Sequence, residues 1–159
     1  PDLVIHSPGP GRPEEFGVPD FVRSVVELGI PQFGVCLGLQ GIVEAFGGEL
    51  TVMDVPRHGK YWCLEHDGSG LFMGIAPGAR VGGYHSLLAV SDKMPDALEV
   101  IARNEEGMVM AVRHATLPIA AVQFHPESIL SMDARAGHRI VENVLATLLP
   151  SKGAAERAA

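Results

Sequence analysis

Along the first third of the chain, short solid apolar runs alternate with stripes at helical spacing. "DLVIH" is an apolar run stopped by Ser7, Pro8, Gly9, Pro10 and Gly11, the pattern of a buried strand entering a stiff loop. "PDFVRSVVELG" follows, with Pro19 suited to a first helical turn, Phe21, Val22, Val25 and Leu28 on one stripe, and Gly29 as the stop. "PQFGVC" predicts a second strand. After it Leu39, Ile42, Val43 and Phe46 recur at i, i+3, i+4 and i+7 until Gly47 and Gly48 end the helix. Strand, helix, strand, helix argues for an α/β fold with a parallel sheet covered by helices.

The middle, Glu49 to Val112, loses the helical period. Frequent Gly and Pro there predict several short strands, including a hairpin around "HDGSG". "PIAAVQFHP" is a further apolar strand ending at a proline. Asp133 to Leu149 returns to helix, with Ile140, Val144, Leu145 and Leu148 on one side. A single domain over residues 1–150 and a small, polar, flexible tail over 151–159 are expected.

Composition narrows the function classes. With 47% hydrophobic residues the chain can bury one sizeable core, and no stretch approaches the roughly 20 apolar residues of a membrane span. The formal net charge is −7 with scattered basic residues, so neither nucleic acid nor an anionic membrane is expected as a partner. The first residues carry no basic and apolar leader pattern, and two dissimilar cysteines, Cys36 and Cys63, make no disulfide framework. A cytoplasmic protein is the expectation.

Gly34-Val35-Cys36-Leu37-Gly38 has the spacing of a nucleophile elbow between strand and helix. There a helix N-terminus favours the thiolate, and the Leu37 N–H points where an oxyanion would form. A small buried thiol in a glycine-rich loop is the other reading. In "QFHPES", Pro126 holds His125 extended, so His125 and Glu127 project to one side. A carboxylate-oriented histidine is the base a cysteine nucleophile needs; alone it would read as a structural histidine. "HSPGPGRP" is either an ordinary rigid turn or a loop whose Gly9 N–H supplies a second oxyanion donor. "YHSLL" is a strand end with polar residues that either line a pocket or do nothing.

"SPGPG", "GVCLGLQ", "HGK", "YHSL" and "VQFHPESIL", in this order from Ser7 to Leu130, resemble the class I glutamine amidotransferase family, in particular the glutaminase of anthranilate synthase and of its fused single-chain forms. The resemblance spans nearly the whole chain. It implies a three-layer, mostly parallel, flavodoxin-like fold with helices on both faces, and a triad of Cys36, His125 and Glu127. It also implies glutamine binding by Gly9, Gly11, Gln40, Ser86 and Leu87, with Gly9 and Leu37 as the oxyanion hole. Cys63 matches no family position and is expected to be structural.

Two positions depart from many relatives: Leu39 stands where they carry His, and Gly83 where they carry Arg before Tyr-His-Ser. The family opens with a strand and helix before the strand matching "DLVIH", so an N-terminally incomplete domain is expected. The implied function is hydrolysis of L-glutamine to feed ammonia to a chorismate-using synthase in tryptophan biosynthesis. No cofactor or metal is expected in this domain, and Mg²⁺ only in the synthase. The alternatives are the glutaminase of aminodeoxychorismate synthase, an impaired docking fragment, and an independent cysteine hydrolase on the same fold.

Overall fold

The two apolar runs nearest the N-terminus, Val4–His6 (β1) and Gln32–Val35 (β2), pair in parallel, joined by the helix Val18–Glu27 (α1). The computed structural model describes residues 1–149; the tail expected over 151–159 lies outside them. After β2 come the helix Leu37–Ala45 (α2) and five strands: Leu50–His66 (β3), Arg80–Ala89 (β4), Leu98–Asn104 (β5), Val109–His114 (β6) and Ile119–Val122 (β7). A last helix, Ala136–Leu148 (α3), follows two single 3₁₀ turns.

The described strands form one seven-stranded sheet in the order β1-β2-β7-β6-β5-β3-β4. The expected α/β class is present, with helices on both faces, but the sheet is mixed rather than mostly parallel. β1, β2 and β7 run parallel, while every pairing from β7 outward through β6, β5, β3 and β4 is antiparallel. The connections 105–108 and 115–118 are too short for a parallel crossover, which needs about a dozen residues or more.

β7 shows how the sheet divides the core. Ile119 and Ala121 face a cluster built from Val22 of α1 and Leu39, Ile42 and Val43 of α2. Ala120 and Val122 face the opposite cluster, with Ile140, Val144 and Leu148 of α3. Period-two alternation along the strand thus feeds two apolar layers. The helical stripes are narrower than the sequence implies: Val22 and Val25 are buried, but Phe21 is 54% and Leu28 71% exposed, and Leu145 of α3 faces outward.

The middle of the chain differs most from expectation. Several strands are present there, as expected, but the first is not short: β3 runs for 17 residues and pairs first with β4, then through Leu64–His66 with β5. Register shifts between Val52 and Arg57, and between His58 and Lys60, break the alternation that would have revealed it. The hairpin foreseen at "HDGSG" is the β3–β4 pair, but its connection 67–79 is long because Leu71 and Phe72 enter the core. Asn143 of α3 donates to the carbonyls of Leu71 (2.8 Å) and Met73 (2.9 Å), which fixes that connection.

Because β1, β2 and β7 are parallel, their C-terminal ends lie at one edge of the sheet. The loop from Ser7, Cys36, and the segment Gln123–His125 all leave from that edge, the usual place for a site in an open α/β sheet. Among the described residues no helix is long and apolar enough to cross a membrane.

Candidate active site

Cys36 follows β2 directly and caps α2, with φ 54° and ψ −101°. A side chain at such a positive φ is strained by about 1–3 kcal/mol, and the surroundings hold it: its N–H donates to the Val122 carbonyl at 2.8 Å. The glycines around it are steric necessities. A Cβ at Gly34 would stand 2.6 Å from the Gly38 carbonyl carbon, and one at Gly38 would enter the His6 carbonyl oxygen.

Cys36 is only 6% exposed, and burial pushes its thiol pKa up to about 11. The Leu37 N–H and the Gln123 amide pull it down, while the Glu127 charge pushes it up. The helix N-terminus therefore acts in the expected direction but does not outweigh desolvation. Cys36 is a protonated thiol at neutral pH in this state and needs a base to ionise.

His125 is extended where it bridges Gly82, held there by a 3.0 Å bond from its N–H to the Gly82 carbonyl. Ser131 Oγ donates to the His125 carbonyl at 2.5 Å and accepts from the Gly82 N–H at 2.9 Å. The chain then turns, with the Ser128 N–H on the His125 carbonyl at 3.1 Å. That turn, more than an extended run, brings Glu127 Oε1 to 2.6 Å from His125 Nδ1. The Tyr84 ring meets the imidazole edge-on at 5.0 Å. His125 Nε2 is buried and has no hydrogen-bond partner among the described residues. With Nδ1–H facing a carboxylate, Nε2 carries a free lone pair.

Two adjoining cavities meet at Cys36. The larger, about 480 Å³, is lined by Pro8, Gly9, Cys36, Tyr84 and His125, together with His58 and Ser128. The smaller, about 100 Å³, is lined by Gly9, Gly11, Cys36, Gln40, Ser86 and Leu87, together with Tyr84 and His85. Gly9, Gly11, Gln40, Ser86 and Leu87, expected from resemblance to bind one ligand, thus surround one space. A Cβ at Gly9 would lie 2.9 Å from Leu37 Cδ2, so the loop backbone rests against the start of α2. Gly11 adopts φ 76°, which favours glycine. The Gly9 N–H has no partner among the described residues. The Leu37 N–H, an orphan donor of the first helical turn, lies at the Cys36 sulfur.

The wall of the smaller cavity is cross-linked. Gln40 Nε2 donates to the Leu87 carbonyl at 3.2 Å and to Gln123 Oε1 at 3.3 Å. His85 Nδ1 donates to the same carbonyl at 3.1 Å. Burial depresses the His85 pKa to about 4; the Leu87 carbonyl opposes this and nearby His125 adds to it. Sequence reasoning passed over Gln123 and His85. A glutamine inside the apolar run "IAAVQF" was the available signal, since a buried amide needs partners.

Cys63 lies on β3 and lines neither cavity; its N–H donates to Glu105 Oε2 at 2.8 Å. No cluster of three or more His, Cys, Asp or Glu suited to a metal ion occurs among the described residues.

Comparison with known proteins gives this geometry a family. The family described as glutamine amidotransferase class-I matches residues 1–147. An anthranilate synthase of Azospirillum brasilense is 53% identical, covering 91% of this chain and 20% of that protein. Anthranilate synthase component 2 of Haloferax volcanii is 43% identical, covering 91% and 72%. An aminodeoxychorismate synthase of Streptomyces griseus is 46% identical, covering 89% and 19%. The chain therefore spans about a fifth of the length of two of these relatives. The fold is shared with a protein of Thermoplasma acidophilum described as a GMP synthase subunit, with a TM-score of 0.81 at 23% identity over 99% of this chain and 75% of that one. On a match that runs from residue 1 to residue 147, the chain belongs to the class-I glutamine amidotransferase family.

Proposed function

We propose that this chain is the glutaminase unit of an anthranilate synthase, working in the cytoplasm to supply ammonia to a chorismate-using synthase in tryptophan biosynthesis. The observation that carries the reading is the pairing of a buried thiol with a buried, unpartnered His125 Nε2 on one cavity, Glu127 fixing the other ring nitrogen.

Each step follows from those groups. L-glutamine enters the cavities with its side-chain amide over Cys36, ordered by the walls at Gly9, Gly11, Gln40, Ser86 and Leu87. Sγ passes its proton to His125 Nε2 and bonds to the amide carbon. The carbonyl oxygen becomes an oxyanion facing the Gly9 and Leu37 N–H groups, fixed donors needing no reorganisation. His125 returns the proton to the amide nitrogen, the C–N bond breaks, and ammonia leaves a thioester. His125 Nε2 then takes a proton from water, whose oxygen bonds to the thioester carbon and expels Sγ; glutamate is released, and Nε2 returns the proton to Sγ. A thiol raised to about 11 makes His125 indispensable as the proton acceptor.

The relative named aminodeoxychorismate synthase, at 46% identity, supports a second acceptor for the ammonia. The experiment combines the purified chain with each of the two synthases, supplies glutamine and chorismate, and measures glutamate and the aminated product. Glutamate release with anthranilate formed only beside its synthase supports the proposal. Amination only beside the other synthase moves the chain to the second reading, and no glutamate in either mixture sinks both.

A further inference from the structure

Gln123 is fully buried between β7 and His125 and lines neither cavity, yet both ends of its amide are engaged. Its Oε1 accepts from Gln40 Nε2 at 3.3 Å, and its own Nε2 lies 3.6 Å from Cys36 Sγ. The orientation of these amides is forced from one end. The Leu87 carbonyl can only accept, so Gln40 must turn its NH₂ to it. Gln40 then also presents a hydrogen to Gln123, which must answer with oxygen and leave its NH₂ toward the sulfur. His85, on the same carbonyl, fixes the far end of the line. The line is buried throughout, where hydrogen bonds to an ion are strong and few waters compete.

The geometry points to Gln123 as a positioning residue for the proposed nucleophile: its amide N–H holds the Cys36 sulfur in line and stabilises the thiolate once the proton has moved to His125 Nε2. No bond to Gln123 forms or breaks. The inference rests on the reading of Cys36 as nucleophile. The charged and titratable groups around the sulfur are Glu127, which disfavours the thiolate, and His58, Tyr84, His85 and His125 on the cavity walls. The Leu37 N–H and the Gln123 amide both lower the pKa of the sulfur.

The test uses a Cys63→Ser background, so that Cys36 is the one remaining thiol, and follows iodoacetamide alkylation by mass against pH. Gln123→Met keeps the length and removes the donor. The expected result is alkylation at pH 8 slowed about fivefold or more, with the profile displaced to higher pH. Glutaminase kcat should fall while KM stays within about twofold, since Gln123 touches no cavity. An unchanged alkylation profile, or a loss confined to KM, overturns the assignment. Should Gln123→Met fail to fold by circular dichroism, Gln40→Met removes the anchor of Gln123 and leaves its amide in place. A profile shifted the same way supports the line; an unshifted one overturns it. Alkylation reads the sulfur directly, whereas glutaminase activity surviving Cys36→Ser would sink the nucleophile assignment instead.

Discussion

Gly38 sits against His6 so closely that a Cβ at residue 38 would enter the His6 carbonyl oxygen and stand 2.8 Å from the His6 Cβ. The first turn of α2 is thereby docked on the end of β1, and the loop bearing Gly9 is placed beside Cys36. Gly38→Ala forces backbone apart at this point, since the obstructing atoms are the His6 carbonyl and the Cβ fixed to that main chain rather than the end of a flexible side chain. The variant should lose roughly 2–3 kcal/mol of stability in urea unfolding and most glutaminase activity. Wild-type stability and turnover would show that the contact is not required.

Cys36 and Cys63 should separate cleanly. Cys36→Ser is expected to abolish glutamate release with the fold intact, whereas Cys63→Ser keeps most of it, because Cys63 lines neither cavity. Equal losses in two folded variants would assign the chemistry elsewhere.

Glu127 orients His125 and keeps 57% of its side chain exposed, so water can partly replace it. His125 Nε2, buried and without a hydrogen-bond partner among the described residues, is the proton acceptor of the proposed reaction. Turnover should therefore drop further in His125→Ala than in Glu127→Gln, by roughly tenfold or more. Steady-state kcat for the two variants decides the ranking, and the reverse order would exchange their roles.

Acid should destabilise the fold through His85. Unfolded, this imidazole takes up a proton near its ordinary 6.5; folded, only near 4. Between those values the unfolded chain binds more protons, so stability falls as pH is lowered from 6.5 toward 4 and is fully present above 6.5. The contribution is on the order of 3 kcal/mol. His85→Gln should flatten urea-unfolding free energy across that window relative to the parent. An unchanged slope would place the acid sensitivity at His6 or His66, whose pKa values burial also lowers.

Much of this was readable locally. Pro19, Val22, Val25 and Gly29 marked α1 to within two residues of its bounds, because capping and periodicity act over one turn. The elbow was legible in Gly34 and Gly38, since sharp turns and close packing select glycine. The mixed sheet was not: strand direction is set by partners far along the chain, and the two register shifts in β3 erased its alternation. The Gln40–Gln123 contact spans 83 positions, so spacing carried no trace of it. The raised thiol pKa depends on packing from several elements, which no dipeptide reports.

β7, though last of the described strands, lies between β2 and β6. Until residue 122 has left the ribosome, β2 and β6 lack a partner on the edges that face β7, and His125 follows three residues later. Local nuclei such as the β3–β4 pair can form early, but the sheet closes only by long-range docking, a slow class of event. A growing chain thus carries Cys36 well before it carries His125, the base of the proposed reaction. Glutamate release, measured during refolding, becomes a clock for insertion of the final strand: secondary structure should appear first, and turnover only with closure of the sheet.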